Sequence, residues 1–426
     1  MARTHRRAAL ASGTLAGALL LAACSSSNGS PHAEAGSSGG QASGTVRMLV
    51  NISPNLTLTF WKNLVKPFEA ANPGIKVKIE PPSAASVDAT LTTELAAGTE
   101  PDVEEGGTVQ PIHDRLLDLT DLSWAANAPL AKSEAIGGRI YAVPLGVQLQ
   151  SLIFYNKDAF QKAGITAPPT TMDELTADLG KLKASGILPM QTAGDTWVTG
   201  AQVSMIAAPT LFANDPNWYK DVAARKLKLS SSLKPVLDLY NGWLHSGYLA
   251  KDALGVKYLD AQANFLAGKS AMYPMGSWFV GAATKPSFPI GVFRIPAITP
   301  SAQPTVMGGA PDAKYAIFKN TAHKAAALKL VQYLTYDKVA VETQLATDGT
   351  FRDGYSSTPG QLSADVNAIL KTVSNNLVPI GNGYGENQLP TGYAAQLHKL
   401  VQGLYIGQSV SSVGSGLDSW LAAQPK

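Results

Sequence analysis

Cysteine is almost absent from this chain, which has one cysteine, Cys24, among 426 residues. A single cysteine excludes a disulfide framework and any zinc or iron–sulfur site built from thiolates. Histidine is also scarce, and its six copies show no metal-ligand spacing, so we expect neither a metal nor another cofactor. No Gly-x-Ser-x-Gly elbow of the α/β-hydrolase kind is predicted, because the one match to that pattern, Gly36-Ser37-Ser38-Gly39-Gly40, lies in a Ser/Gly-rich stretch and not between a strand and a helix. The histidines are His5, His32, His113, His245, His323 and His398.

Charge is sparse and balanced. Only 15% of the residues are charged, and the formal net charge is +3 from 34 basic and 31 acidic residues. Arg3, Arg6 and Arg7 account for the excess, so the rest of the chain carries 31 residues of each sign. A balanced surface provides no electrostatic basis for binding nucleic acid, and no nucleic-acid partner is expected.

Apolar residues make up 45% of the sequence, which excludes an intrinsically disordered chain. The length exceeds what one ordinary hydrophobic core accommodates, because domains typically hold about 100 to 200 residues. We therefore expect two lobes of roughly 150 to 200 residues each.

The N-terminus has the pattern of an export signal. Residues 1–7 are basic, and residues 8–23 form an apolar and small-residue run that is short for a membrane-spanning helix. The run ends in Leu21-Ala22-Ala23-Cys24, which resembles the bacterial lipobox, where the leader is cut before a cysteine whose thiol is then acylated. We predict a signal peptide over residues 1–23 and lipidation, such as palmitate, at Cys24. The alternative is a plain secretory leader with an incidental cysteine.

A flexible tether is predicted over residues 24–44. Twelve of the twenty residues 25–44 are Ser or Gly, and none is a large hydrophobe. Such a coil spans on the order of 25 Å. Because two or more acyl chains hold a protein durably at a bilayer, we expect the folded body to lie at the outer face of the cytoplasmic membrane, anchored through Cys24.

The body shows the alternation of an α/β protein. Val46, Met48 and Val50 alternate as in a strand, a helical stripe runs through residues 60–68, and residues 75–79 alternate again. This strand, helix, strand order predicts a parallel α/β layer. Further on, Thr171 and Glu174 form a capping box that opens a helix reaching Ser185, and helical faces recur over residues 233–244 and 327–334.

Five sequence blocks, taken in order, resemble the extracellular solute-binding proteins of family 1, the carbohydrate receptors of bacterial ABC importers. The resemblance runs from Thr45 to about Asp348. The blocks are the helix at residues 60–68 with Asn72-Pro73-Gly74; Ala97-Gly98-Thr99-Glu100-Pro101-Asp102-Val103; Gly138-Arg139-Ile140-Tyr141-Ala142-Val143-Pro144 with Phe154-Tyr155-Asn156-Lys157; Phe265-Leu266-Ala267-Gly268-Lys269 with Gly276-Ser277-Trp278; and Tyr315-Ala316-Ile317 with the helix at residues 324–334.

The resemblance implies an α/β, two-lobed periplasmic-binding-protein-like fold of type II, with a ligand cleft and a hinge between the lobes. It implies an N-terminal lobe of residues 45–146 and 307–347 and a C-terminal lobe of residues 147–306 and 348–426. The hinge crossings then fall at residues 144–147, near Met307 and at residues 345–351. The expected partners are a small carbohydrate and the membrane permease subunits of an ABC importer, and the receptor is expected to be a monomer.

The resemblance also suggests which residues bind the ligand. Trp278 follows a Gly-Ser turn where the family places a stacking tryptophan, and its alternative role is an aromatic lid on the core. Trp197 lies in a polar loop that similarity directs into the cleft. Gln148 stands at the first crossing, where relatives often carry a ligand-binding acid or amide. Tyr141 is interpreted as a packing residue near the hinge.

Three further candidates follow strands of the first lobe. Asn51 and Asn55 come after the first predicted strand, and ligands of α/β layers collect beyond the carboxyl ends of strands. Glu105 lies in a predicted loop after Asp102-Val103, where adjacent glutamates usually form a solvated edge but two glycines could bring a carboxylate to a ligand. Trp61 lies on the helical stripe and is predicted to be core.

Three functions stay open at the level of sequence. The first is a sugar receptor without catalysis. The second is a surface-anchored glycoside hydrolase, for which paired acids such as Glu104 and Glu105 would be needed, although neighbours on a strand point to opposite faces. The third is a receptor for a peptide or polyol. We predict the first, with no catalytic residues.

Overall fold

The structure is a computed structural model that describes residues 42–195, 197–283, 286–299, 305–310, 313–373 and 376–425. The predicted signal peptide, Cys24 and residues 25–41 of the predicted tether lie outside the described residues. Within the part of the chain that is described, no helix combines the length and the apolar character needed to span a membrane.

Strands and helices alternate along the described chain. The strands are β1 Gly44–Leu49, β2 Ile75–Glu80, β3 Val103–Glu105, β4 Ala142–Pro144, β5 Gln148–Leu149, β6 Leu152–Asn156, β7 Leu188–Met190, β8 Ser270–Met275, β9 Ile290–Arg294, β10 Val306–Gly309, β11 Lys314–Ile317, β12 Leu377–Val378, β13 Gly383–Tyr384 and β14 Asn387–Gln388. The α-helices are α1 Leu58–Ala71, α2 Val87–Ala97, α3 Ser123–Ala126, α4 Lys157–Lys162, α5 Met172–Ala184, α6 Val198–Asn214, α7 Trp218–Ala223, α8 Leu229–His245, α9 Tyr258–Leu266, α10 Phe279–Ala282, α11 Lys324–Tyr336, α12 Lys338–Asp348, α13 Gln361–Val373, α14 Tyr393–Tyr405 and α15 Val410–Ala422.

The first sheet has the strand order β2-β1-β3-β11-β4. β1 runs parallel to β2 and β3, and β11 runs antiparallel to β3 and β4. The predicted strand, helix, strand unit is confirmed, because α1 joins β1 to β2. α1 begins at the cap Thr57, whose hydroxyl accepts from the Phe60 amide, and it buries Trp61, Leu64, Val65 and Phe68. The prediction that Trp61 belongs to the core is therefore confirmed.

The second sheet has the order β7-β8-β6-β9, in which β8 is parallel to β7 and antiparallel to β6. Its main core is formed with α5, α6, α8, α14 and α15. α5 opens with the predicted capping box, since the Thr171 hydroxyl accepts from the Glu174 amide and the Glu174 carboxylate accepts from the Thr171 amide. Each large aliphatic or phenylalanine side chain buried in this core contributes about 1.5 to 3 kcal/mol.

A small third sheet has the strand order β12-β10-β5. We call it the crossing sheet, because β5 and β10 each lie in the sequence between a strand of one large sheet and a strand of the other. β5 connects β4 of the first sheet to β6 of the second, and β10 pairs antiparallel with it. Beside it, Val147 forms a bridge with Phe351. The chain thus passes between the two large sheets near the predicted crossings at residues 144–147 and 345–351, while the exact lobe boundaries stay a prediction.

One buried hydroxyl ties the crossing segments together. Ser277, in the turn after β8, accepts from the Leu149 amide at 3.1 Å and donates to the Gly349 carbonyl at 2.6 Å. Gly349 ends α12 in a left-handed conformation with φ 54°. A methyl group at Gly349 would lie 2.2 Å from the Ser277 carbonyl oxygen, so the two backbones leave no room for a side chain.

Glu104 and Glu105 depart from the prediction of a loop or a solvated edge. They belong to β3, which lies between β1 and β11, and they are 0% and 1% exposed. A strand inside a sheet that is covered on both faces buries neighbouring side chains alike. The Gly107 amide donates to Glu104 at 2.7 Å. Burial nonetheless raises the pKa of Glu104 to about 7.

This pKa predicts a pH-dependent stability. The folded protein holds the Glu104 proton more tightly than the unfolded chain does, so the contribution of this group falls as pH rises from about 4.5 to about 7. We expect Glu104→Gln to remove that decline and to stabilise the protein above pH 7 by up to about 3 kcal/mol. Urea unfolding of the wild type and the variant at a series of pH values measures their free energies of unfolding.

Glu386→Gln is the matched control, because the Glu386 carboxylate is 60% exposed. It should leave the pH profile of stability unchanged. A Glu104→Gln profile parallel to that of the wild type would contradict the expectation.

The close approach at Gly349 gives a second prediction. Gly98 ends α2 with φ 66°, and a methyl group there meets no atom within 4 Å. Gly98→Ala should therefore cost only the left-handed strain of about 1 to 2 kcal/mol. Gly349→Ala adds a backbone clash and should cost at least about 2 kcal/mol more. Equal free energies of unfolding for the two variants would rule out a tight contact at Gly349.

Candidate functional site

A cavity of about 440 Å³ brings together loops from both large sheets and from the crossing segments. This volume lies within the usual range for small-molecule sites. The residues that line it are Asn51, Ile52, Ser53, Pro54, Asn55, Leu56, Gln148, Gln150, Trp197, Tyr258, Gln262, Trp278 and Asp348. It therefore has three parts: a loop, an aromatic wall and a set of crossing residues.

The loop, residues 51–56, follows β1 of the first sheet and is fixed from behind. The Trp61 indole donates to the backbone carbonyl of Asn51 at 2.9 Å. The backbone amide of Asn51 donates to the Glu105 carboxylate at 2.8 Å. The Leu56 amide donates to the Ser53 hydroxyl at 3.0 Å, which closes the loop. The core of the first sheet thus determines where Asn51 presents its side chain.

The aromatic wall consists of Trp197, Tyr258 and Trp278. Trp278 follows the turn after β8, while Trp197 and Tyr258 stand at the starts of α6 and α9. The Trp197 ring centroid lies 5.4 Å from that of Tyr258 and 5.9 Å from that of Trp278. Burial raises the pKa of Tyr258, against a hydrogen bond from Trp278 that lowers it, so the phenol stays neutral at physiological pH.

The crossing residues are Gln148, Gln150 and Asp348. The Gln148 side-chain amide donates to the carboxylate of Asp348 and, at 3.2 Å, to its backbone carbonyl. Gln148 begins β5, and Asp348 is the last residue of α12. The contact therefore joins two segments of the crossing region at the edge of the cavity.

Five of the six predicted ligand-binding residues line this one cavity: Asn51, Asn55, Gln148, Trp197 and Trp278. Trp278 is half-buried. It lines the cavity, where a stacking residue would lie, and it also packs against two hydrophobic cores, as an aromatic lid would. Glu105 does not line the cavity and lies behind Asn51. That any of these residues binds a ligand stays a prediction.

Apart from Ser53, which lies in the turn between Asn51 and Asn55, four polar lining residues were not predicted from the sequence: Gln150, Tyr258, Gln262 and Asp348. A signal existed for two of them. Gln150 lies two residues beyond Gln148, and Asp348 precedes the predicted third crossing. Tyr258 and Gln262 lie on α9, which carries no distinguishing motif.

The described lining residues include one carboxylate, Asp348, and no lysine, arginine or histidine. Among the residues that the structure describes, no group of three or more His, Cys, Asp or Glu side chains is arranged to hold a metal ion. The chemistry offered by the lining is thus that of aromatic faces, neutral amides and a single anion.

Comparisons with known proteins agree with this architecture. A Brucella abortus protein named as a binding protein is 26% identical over 339 residues, which cover 76% of each chain. The diacetylchitobiose binding protein DasA of Streptomyces coelicolor is 32% identical over 163 residues, covering 33% of this chain and 37% of that one.

A solved structure of a chitin oligosaccharide binding protein superposes with a TM-score of 0.76 at 23% identity, covering 89% of this chain and 98% of that chain. This likeness confirms the predicted α/β, two-lobed fold. The family model for bacterial extracellular solute-binding proteins matches residues 53–341. The match covers more than half of the 426 residues, and the chain belongs to that family of binding proteins.

Proposed function

We propose that this protein is an extracytoplasmic receptor that captures a sugar or oligosaccharide and delivers it, unaltered, to an ABC importer. The observation that carries the proposal is the cavity itself, in which three aromatic rings stand together with amide side chains. The names of two relatives, which state that they bind diacetylchitobiose and chitin oligosaccharide, support a carbohydrate as the cargo.

The lining suits the surface of a sugar. A pyranose ring has apolar C–H faces, which pack on aromatic rings, and hydroxyl groups at its edge, which need partners. Each buried hydroxyl without a partner costs about 1 to 3 kcal/mol. Asn51, Asn55, Gln150 and Gln262 can each donate and accept, which matches a hydroxyl's own capacity.

Because the lining comes from both large sheets, a ligand that touches all of it favours the arrangement in which the two lobes approach. Such a ligand shifts the equilibrium by its differential affinity for the closed state. The importer would then recognise the closed receptor.

The positions of the acids favour a receptor over a glycoside hydrolase. Glycoside hydrolysis generally needs two carboxyl groups flanking the scissile bond. Glu104 and Glu105 lie outside the cavity lining, and Asp348 is the single carboxylate among the described lining residues. The described lining therefore supports the proposal of a receptor better than that of a glycoside hydrolase.

A ligand panel on the purified full chain tests the function. We expect one or more saccharides from a set of sugars, polyols and peptides to raise the melting temperature, because a ligand bound to the folded state alone stabilises it. Chromatography of the recovered ligand should show no product. Turnover of the sugar would favour the hydrolase, and a shift with peptides or polyols alone would change the cargo.

Within the same experiment, Trp278→Ala should weaken saccharide binding by roughly 2 kcal/mol or more, as expected for an aromatic anchor. Trp420→Ala is the matched control, because Trp420 is a half-buried tryptophan outside the lining. Calorimetric titration gives both dissociation constants. An unchanged constant for Trp278→Ala would assign this ring to packing alone.

We also propose that the receptor is lipid-anchored through Cys24, with residues 25–43 as its tether, since Gly44, which the sequence assigned to the tether, begins β1. The support is the sequence Leu21-Ala22-Ala23-Cys24 at the end of an export signal. In a bacterial host, Cys24→Ser should prevent incorporation of labelled palmitate and release the protein from the membrane fraction.

Saccharide binding by the Cys24→Ser protein should match that of the wild type, since the cavity lies elsewhere in the chain. Membrane retention of Cys24→Ser equal to that of the wild type would contradict the anchor.

A further inference from the structure

One helix contacts the aromatic wall from outside the cavity. Trp197 stands at the end of the connection from β7 to α6. Three residues earlier, the backbone carbonyl of Gly194 accepts a hydrogen bond of 2.6 Å from the side-chain amide of Gln402. Gln402 is half-buried on α14 and does not line the cavity. α14 therefore reaches the backbone that leads to Trp197 without using a residue of the lining.

Gly194 is held from a second side by the turn that precedes α9. Its amide donates to the Ala253 carbonyl at 2.8 Å. A methyl group at Gly194 would lie 2.7 Å from the Cα of Leu254, so the two backbones are in direct contact. Gly194 is buried, and both hydrogen-bonding groups of its backbone have a partner. The segment that continues to Trp197 thus starts from a point that α14 and this turn fix together.

α14 is itself fixed against α6. A methyl group at Gly200 would lie 2.6 Å from the Cα of His398 and 2.7 Å from its backbone nitrogen, so the two helices meet there with no side chain between them. At the end of α14, the Tyr405 hydroxyl forms a hydrogen bond of 2.8 Å with the hydroxyl of Tyr240 on α8. A packed interior has low compressibility and transmits displacements. α14 is therefore a rigid support for Gln402.

We propose that Gln402 is a positioning residue for the binding site: its hydrogen bond to the Gly194 carbonyl holds Trp197 in the place where the ligand meets it. The inference rests on the proposed function and deepens it, because it assigns to the site a residue outside the lining. α14, Tyr393–Tyr405, also lies beyond residues 53–341, which the family model matches. The geometry of the wall in this chain thus depends on a helix that the family match does not describe.

The physical reason is preorganisation. An aromatic ring that is fixed before the ligand arrives costs less to order on binding than a mobile one. A site keeps such geometry when hydrogen bonds behind it lock its residues. If the donor of Gln402 is lost, the buried Gly194 carbonyl is left without it, and the backbone relieves that cost by moving toward another donor. Trp197, three residues on, then moves with the backbone or becomes mobile.

The first test needs no ligand. In the full chain labelled with 5-fluorotryptophan, each of the seven tryptophans gives a fluorine NMR signal, and the Trp197→Phe and Trp124→Phe variants assign two of them. Gln402→Met keeps the length of the side chain and its preference for a helix but has no N–H donor. We expect it to shift or broaden the Trp197 signal. The signal of Trp124, which packs against the core of the first sheet, should stay in place. Gln402→Glu, whose ionised carboxylate has the same shape and cannot donate, should act in the same direction.

Gln396→Met is the matched control, because Gln396 is likewise half-buried on α14 and no described hydrogen bond joins its side chain to the connection that carries Trp197. Its spectrum should show the Trp197 signal of the wild type. A role of Gln402 in stability alone would lower the free energy of unfolding and leave that signal in place. An unmoved Trp197 signal in Gln402→Met and Gln402→Glu would therefore overturn the inference, as would an equal shift in Gln396→Met.

The second test measures affinity by calorimetric titration of the full chain with cellobiose, maltose and diacetylchitobiose. Gln402→Met should weaken the binding of any of these that the wild type binds by about five-fold or more, the equivalent of one hydrogen bond. Gln396→Met should bind as the wild type does. A moved Trp197 signal with unchanged affinity would show that binding does not depend on this position of the ring, and would also overturn the inference.

The proposed function fails separately. If none of the three disaccharides binds to the wild type, the saccharide that the wider ligand panel identifies replaces them in the titration. If that panel yields no saccharide, the proposed function is wrong, while the fluorine spectrum still decides whether Gln402 positions Trp197.

Discussion

The site depends on the two hydrogen bonds made by the hydroxyl of Ser277. It accepts from Leu149 and donates to Gly349, and each of these three residues has a lining residue as its immediate neighbour in the chain. Gln148 precedes Leu149, Asp348 precedes Gly349, and Trp278 follows Ser277. A buried hydroxyl that lost either partner would leave a donor or an acceptor unsatisfied, at a cost of about 1 to 3 kcal/mol each. The two hydrogen bonds that satisfy the buried backbone groups therefore also position three side chains around one cavity: the amide of Gln148, the carboxylate of Asp348 and the indole of Trp278.

A different pair of hydrogen bonds fixes the opposite side of the cavity, which is the loop at residues 51–56. Asn51 is held through its backbone by the Trp61 indole and the Glu105 carboxylate, both of which are buried. Burying a carboxylate is costly, and burial accordingly raises the pKa of the neighbouring Glu104. The first sheet accommodates two adjacent acids in its interior, one of which fixes the start of the loop that lines the cavity.

Local patterns in the sequence predict the local structure well. The stripe from Phe60 to Phe68, the Thr171 capping box and the burial of Trp61 all follow from spacing within one element, and the structure confirms each of them. The burial of Glu104 and Glu105 does not follow, because β3 has three residues and is too short for alternation to reveal which faces are covered.

The cavity illustrates the same limit. The resemblance identified Trp278, Trp197 and Gln148, which lie in loops that the family uses, and the structure places them in one lining. Asp348 is brought to Gln148 across 200 residues of chain. Periodicity and capping describe neighbours within a few positions, so they carry no information about such a contact. The close approach of Gly349, at the end of α12, to the turn at Ser277 helps to place Asp348 beside Gln148.

The energies of binding and closure explain why both sides of the cavity need such rigid support. Micromolar binding corresponds to about 8 kcal/mol. Moving a two-state equilibrium from one part in a hundred closed to nearly all closed requires about 5.5 kcal/mol of differential affinity. The aromatic wall belongs to the second sheet and its helices, so stacking on it alone favours neither state. Under the proposed function, the differential affinity for the closed state would come from contacts that the ligand gains with the loop at residues 51–56 of the other side of the cavity. A loop whose backbone is already fixed at Asn51 by Trp61 and Glu105 loses little backbone entropy on binding, and that loss would otherwise consume the energy that drives closure.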